Sequence, residues 1–277
     1  QHTLEKVVKL IDGLPSAEWS GLAYLPKLVA AVVDMWRDQG RLEESAQWCA
    51  KLHAVVGDPL CFATGMAMAN AGRADEADKL LRRYLEQSHS RQQRLMEPAQ
   101  NEQPVSAFLA LAGLARKNKR KELAREWLQK ASAFATETDQ PALDCENIEV
   151  ELSVGDLLAA TRAIEQLQQK VSQHPIYFSN LMYLSAKIAQ ASGDNATALA
   201  LSQAALGLSD DRAACLLASL EIEAGSVDNH RLDHHYQAIG GQSYETLAVK
   251  LIIGSALELP FPHDVPLATL AILESNK

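Results

Sequence analysis

The chain lacks most of what a catalytic or membrane-bound protein displays. Only 5% of its 277 residues are aromatic. No apolar run reaches membrane-spanning length; the best candidate, Leu247 to Leu259, is interrupted by Lys250 and Glu258 and reads as a buried terminal helix. Basic residues are in the minority, 26 Lys and Arg against 35 Asp and Glu, for a net charge of −9. That balance argues against direct binding to nucleic acid or to an anionic membrane surface, both of which attract basic faces. The four cysteines, Cys49, Cys61, Cys145 and Cys215, include no C-x-x-C pair. Scattered thiols in a chain able to bury its own core predict free side chains and a reducing compartment, although Cys49 and Cys61 sit where two neighbouring helices could bring them together. There is no HExxH, no Gly-x-Ser-x-Gly elbow, and no glycine-rich phosphate loop following a strand. The expectation is therefore a non-enzymatic chain with no cofactor.

What the sequence does contain is a repeat. An apolar stretch, a tight turn and a small residue five positions later recur at Gly40, Gly72, Lys119, Gly155, Gly193 and Gly225. The clearest copy runs from Gly65 through Gly72 to Ala77. Seven positions before each turn stand Val33, Gly65, Ala112, Ile148, Ala186 and Ala218, mostly small residues where helices must approach closely. Five positions after it stand Ser45, Ala77, Ala124, Ala160, Ala198 and His230. Nine and twelve after it come Cys49 and Leu52, Leu81 and Tyr84, Leu128 and Ala131, Ile164 and Leu167, placed to meet the next pair of helices. Proline marks helix starts at Asp58-Pro59, Gln103-Pro104 and Gln140-Pro141, with His174-Pro175 shortly before the fifth copy. Apolar positions recur at three and four rather than two, so no strand is expected. A spacing near 34 residues is what stacked helical hairpins require, because one hairpin cannot bury its apolar face alone. The predicted fold is all-α: a right-handed superhelical solenoid of about six stacked helical hairpins with a C-terminal capping helix pair. It is read as a single domain over 1–277, with repeats over 22–240, a polar insertion over 86–104 and a C-terminal cap over 241–277.

These turns and small residues resemble the tetratricopeptide (TPR) family over about residues 22–240, most closely in the second, third and fifth copies. The usual small pair is replaced by Val33 and Ser45 in the first, and His230 takes the Ala position in the sixth. The resemblance implies a protein-binding groove lined by residues ten and six before each turn. Its partner-binding residues would be Asp34, Phe62, Met66, Leu109, Glu149, Tyr183 and Lys187. Ala30, Asp34 and Met66 stand where a clamp for a C-terminal carboxylate would need Lys and Asn, so the expected ligand is an amphipathic helix or extended apolar peptide of another protein. Phe62, Met66 and Leu109 could equally fill the interior of a tight superhelix.

Two irregularities interrupt the repeat. Between Tyr84 and Pro104 a polar stretch predicts an extended helix followed by a loop, or an inserted segment. After Tyr244 an amphipathic helix runs to Glu258, and Pro260, Pro262 and Pro266 break it before a last helix from about Leu267. Such a tail is expected to cap the final hairpin. His230, His234 and His235 form the most suggestive polar cluster, since His230 and His234 would share a helix face; a solvated helix face is preferred to a metal site. The function expected is an adaptor or scaffold that binds another protein within a larger complex. The alternative is the sensor or regulatory repeat region of a longer enzyme or transcription regulator, suggested by Gln1 in place of an initiator Met, which predicts a processed or excised chain. The cytoplasm is the expected location, with the periplasm or secretion left open by that N-terminus. The oligomeric state has no signature in the sequence.

Overall fold

The computed structural model describes the backbone of residues 2–95, 104–171, 176–206, 211–225, 229–240, 243–260 and 265–275. Most of the polar insertion expected beyond the end of its first helix (96–103), the His174-Pro175 pair and residues 261–264 of the proline-rich break lie outside the described residues. Among the described residues the chain is all-helical with no strand. The chain divides into two compact units. The first comprises Gln1–Glu102, Gly240–Leu251 and Pro260–Lys277; the second comprises Gln103–Ile239 and Ile252–Leu259.

The first unit contains α1 (His2–Gly13), α2 (Ser16–Trp19), α3 (Leu25–Asp38), α4 (Leu42–Val56), α5 (Cys61–Asn70) and α6 (Ala74–Leu95). Pro59 falls in a single 3-10 turn, Asp58–Leu60, that leads into α5 rather than inside the α-helix itself. Helices α3 to α6 pack each on the next, and α3 also meets α5. Ahead of the first expected repeat, α1 packs on α3 and α2 on α4. Tryptophans hold this end. The Trp19 indole N–H donates to the Ile11 carbonyl at 2.9 Å, the Trp48 indole N–H donates to Asp12 at 3.3 Å, and Trp36 meets Trp48 edge-on at 5.3 Å. Large aromatic bodies with one polar atom suit this role, filling the core while the Trp19 and Trp48 N–H groups find acceptors.

The second unit contains α7 (Pro104–Lys117), α8 (Lys121–Ser132), α9 (Gln140–Ser153), α10 (Leu157–Val171), α11 (Ile176–Ala191), α12 (Asn195–Leu206), α13 (Asp211–Glu223) and α14 (Asn229–Ala238). Each helix packs on the one that follows it, and α7–α9, α9–α11 and α11–α13 also touch. This packing of helices close in sequence is consistent with an α-solenoid. Helix α15 (Tyr244–Ala256) begins in the first unit and ends in the second, and α16 (Leu267–Ser275) belongs to the first.

The turn residues read from the sequence all adopt left-handed backbone: Gly40, Gly72, Gly155, Gly193 and Gly225 at φ between 63° and 81°, and Lys119 at 57°. After Gly40, Gly72, Lys119, Gly155 and Gly193 the next residue closes the turn through its N–H to a carbonyl five residues back, as in Arg41 to Trp36, Arg73 to Met68 and Asp156 to Glu151, each within 3.0 Å. This is the Schellman closure that ends one helix and frees the chain to start another. The small residues lie where helices cross. Ala77, Ala124, Ala160 and Ala198 have no exposed surface, and neither have Ala112, Ala186 and Ala218. A Cβ on Gly65 would stand 2.8 Å from the Leu81 side chain. His230 departs from the set and is exposed.

The C-terminal segment makes a contact that the repeat does not foretell. Tyr244 and Ala268 lie against Gly72 in the first unit: a Cβ on that glycine would be 2.3 Å from the Ala268 Cβ and 3.1 Å from the Tyr244 ring. The Thr269 hydroxyl donates to the Tyr244 carbonyl at 2.9 Å, fixing α16 to the start of α15.

Candidate functional site

The seven expected groove residues fall in two groups. Asp34, Phe62 and Met66 belong to the first unit. Asp34 is exposed and pairs with Arg37 at 3.1 Å one helical turn on. Phe62 and Met66 are half-buried on α5, and the Phe62 ring rests 5.1 Å from that of Tyr84 on α6. That ring contact satisfies part of Phe62 within its own helix pair. Leu109, half-buried on α7, belongs to the second unit with Glu149, Tyr183 and Lys187.

The structure brings the last three together. Lys187 on α11 donates to Glu149 on α9 at 2.5 Å, and its ammonium lies 5.6 Å from the Tyr183 ring centroid. Four residues not read from the sequence extend this group along consecutive odd-numbered helices. Arg116 of α7 bonds Glu146 of α9 at 2.7 Å and approaches Glu149 at 3.6 Å. Arg212 of α13 covers Tyr183 at 4.6 Å and donates to Asn180 of α11 at 2.6 Å. The result is a stripe, Arg116–Glu146–Glu149–Lys187–Tyr183–Arg212, crossing α7, α9, α11 and α13. A helical signal could have found the missing members: Arg116, Glu146, Asn180 and Arg212 each stand three residues from an expected groove position (Gly113, Glu149, Tyr183 and Cys215), on the same helix face.

Electrostatics divide the two glutamates. Burial pushes the Glu146 carboxyl above the usual carboxylate range, and Arg116 offsets this only in part. Burial acts on Glu149 in the same direction, but Lys187 and Arg116 together outweigh it and hold the carboxyl below that range. Glu149 is thus a fixed anion between two cations, while Glu146 is the more easily neutralised neighbour. The stripe has no nucleophile paired with a base. It offers charges of both signs around a half-buried phenol ring, an arrangement that can orient a ligand by ion pairing and ring contact.

The histidines part company. His230 and His234 are exposed, whereas His235 is buried and its Nε2 lies 2.6 Å from Glu221, a carboxylate that also accepts from Arg231 at 3.1 Å. Among the described residues no group of three or more His, Cys, Asp or Glu side chains is placed to hold a metal ion. A second Glu pair is equally structural in placement: Glu151, 5% exposed, meets Lys121 at 2.9 Å and Arg125 at 2.6 Å. Cys49, Cys61, Cys145 and Cys215 are all free thiols, and Cys61 contacts the His53 imidazole at 3.5 Å. No described helix is long and apolar enough to cross a membrane. Comparison with protein-family models and with curated protein sequences finds no match for the chain.

Proposed function

We propose that the chain is a non-enzymatic, TPR-like solenoid of about six helical hairpins that binds a peptide or helix of a partner protein, as an adaptor or subunit of a larger assembly. The observation that carries this reading is the stripe on α7, α9, α11 and α13. Arginine and tyrosine are among the residues that dominate binding energy at protein interfaces, and here half-buried Arg116 and Tyr183 and exposed Arg212 stand on α7, α11 and α13. The near-neighbour packing supports it too, because stacked repeats generate extended surfaces suited to elongated ligands. A cytoplasmic setting fits the free thiols.

The reading is tested by affinity capture from native lysate with the purified chain beside two double variants, Tyr183→Ala/Arg212→Ala and Phe62→Ala/Met66→Ala, whose melting curves are checked first. The expected result is one partner set held by the parent chain and lost from the stripe variant, with weaker retention by the α5 variant. Unchanged recovery by both variants removes the groove assignment.

A further inference from the structure

Two carboxylates one helical turn apart on α9 share a single arginine. Arg116 donates from Nε to Glu146 Oε1 at 2.7 Å and from Nη2 to Oε2 at 3.4 Å, while its Nη1 stands 3.6 Å from Glu149 Oε2. That same Oε2 accepts from Lys187 of α11 at 2.5 Å. The four side chains form a chain of contacts, Glu146–Arg116–Glu149–Lys187. Each of its middle members has one bonded partner and a second within reach.

The surroundings pull the two carboxyls apart. Glu146 faces Arg116 and Lys117 of α7, but burial, aided by the like charge of Glu149, outweighs both cations and favours its neutral form. Glu149 faces Lys187, Arg116 and Arg212 of α13, which outweigh burial and keep it ionised. The other charges packed on α9 are engaged elsewhere: Lys121 and Arg125 of α8 pair with Glu151, and Lys170 of α10 pairs with Asp144. The Glu146 side chain keeps 18% exposure, so it can exchange a proton with solvent. Of the two carboxyls, Glu146 is the one that takes up a proton first as pH falls.

We infer that Glu146 is a proton-operated switch for the stripe: when it takes up a proton, Arg116 turns to Glu149 and Lys187 is loosened from that carboxylate. Its regulatory meaning rests on the reading of the stripe as the partner surface. A guanidinium bond to an ionised carboxylate is roughly twice as strong as one to a neutral acid. Protonated Glu146 therefore loses its advantage over Glu149, which lies within reach of the same guanidinium fork. Closing that gap sets two cations on one oxygen, and their mutual repulsion weakens the hold of Lys187. The same proton adds one positive charge beside Tyr183, which Lys187 and Arg212 flank. A partner that engages one arrangement binds the other more weakly, and by reciprocity its binding moves the protonation of Glu146.

The test is an acid titration of the full chain followed by NMR of the glutamate carboxyl carbons and the Lys187 ammonium nitrogen. The Lys187 signal should move together with the Glu146 carboxyl, before Glu149 titrates. In the Glu146→Gln chain it should already hold its shifted position at neutral pH and stay there through that range. A Lys187 signal that follows Glu149 alone, or that is the same in both chains at neutral pH, overturns the switch. Double-mutant cycles in melting temperature give a second reading without acid. The coupling of Glu149→Gln with Lys187→Met should fall about twofold in the Glu146→Gln background, and that of Glu149→Gln with Arg116→Met should rise. Two unchanged couplings overturn the re-pairing. Recovery of the partners that depend on Tyr183 and Arg212 should change several-fold between neutral pH and about pH 5 for the parent and not for Glu146→Gln. Equal pH dependence of the two chains overturns the regulatory role. Capture of no partner at any pH refutes the scaffold reading instead, and the NMR titration then decides the switch.

Discussion

Replacing Gly72 by alanine should destabilise the protein more than the same change at Gly193, because two penalties meet at Gly72 and one at Gly193. Both glycines hold left-handed backbone, φ 76° and 81°, where an L-residue costs roughly 1–2 kcal/mol. A Cβ at Gly193 meets nothing within 4 Å. At Gly72 it would stand 2.3 Å from the Ala268 Cβ and 3.1 Å from the Tyr244 ring. Carbon atoms pack at about 3.5–4.0 Å, so α16 would have to withdraw by more than about 1 Å or give up the contact. Overpacking of this kind costs about 1–3 kcal/mol. Gly72→Ala should then lose about 2–5 kcal/mol against about 1–2 for Gly193→Ala. Thermal melting followed by circular dichroism reads the difference as a drop several degrees larger for Gly72→Ala. A paired measurement sharpens it: Gly72→Ala should speed amide exchange in α16 and at the start of α15, and Gly193→Ala should not. Equal melting shifts, with exchange in α16 unchanged in both, would refute docking of the C-terminal segment on this turn.

Three other outcomes follow from the same packing and charge. Ala124, with no exposed surface, sits at a helix crossing; Ala124→Glu buries an unpaired carboxylate there and should cost more than about 3 kcal/mol, seen as a sharp fall in melting temperature. Glu149→Gln should destabilise by about 1–3 kcal/mol at neutral pH, and Glu146→Gln by well under 1 or not at all, because Glu149 is held ionised by Lys187 and Arg116 while burial already disfavours the charged form of Glu146. The pH dependence carries the signs: the Glu149 contribution is complete above the ordinary carboxylate pKa of about 4.3 and is lost as pH falls through its lower folded value, whereas acid relieves the Glu146 penalty. Acid titration of the two variants should therefore converge with the parent for Glu149→Gln at low pH. Finally, burial pushes the Cys49 thiol up to about 12, so at pH 8 iodoacetamide should label the half-exposed Cys215 in the folded chain and Cys49 only after denaturation.

Much of this architecture is legible because its constraints are local. A left-handed residue must end each helix, and glycine announces it; a close helix crossing admits only small side chains, and alanine five residues after the turn announces that. Where those constraints lapse, so does the signal. Helices α1 and α2 carry no turn glycine of the repeating kind, so the repeat does not reveal them, although Leu4, Val7, Val8 and Ile11 recur at helical spacing. The docking of Ala268 on Gly72 joins distant segments and has no local signature, since Gly72 needs its conformation whether or not anything packs on it. Half of the stripe was legible for a similar reason. Glu149, Tyr183 and Lys187 occupy repeat positions, while Arg116, Glu146, Asn180 and Arg212 lie one helical turn away and are tied in by an ion pair, a hydrogen bond and a ring contact between helices, which depend on tertiary placement. The three histidines show the limit of spacing alone: His230 and His234 do share an exposed face, and the adjacent His235 turns inward to Glu221.

The most direct test of the stripe as a partner surface is site-specific photocrosslinking in cells. A benzophenone side chain in place of Tyr183 on α11 is compared with one in place of Glu165, exposed on α10. A discrete partner adduct from position 183, absent from position 165, is the predicted result. Adducts from position 165 with none from 183 would contradict the account and move the partner to the other face of the helix pairs.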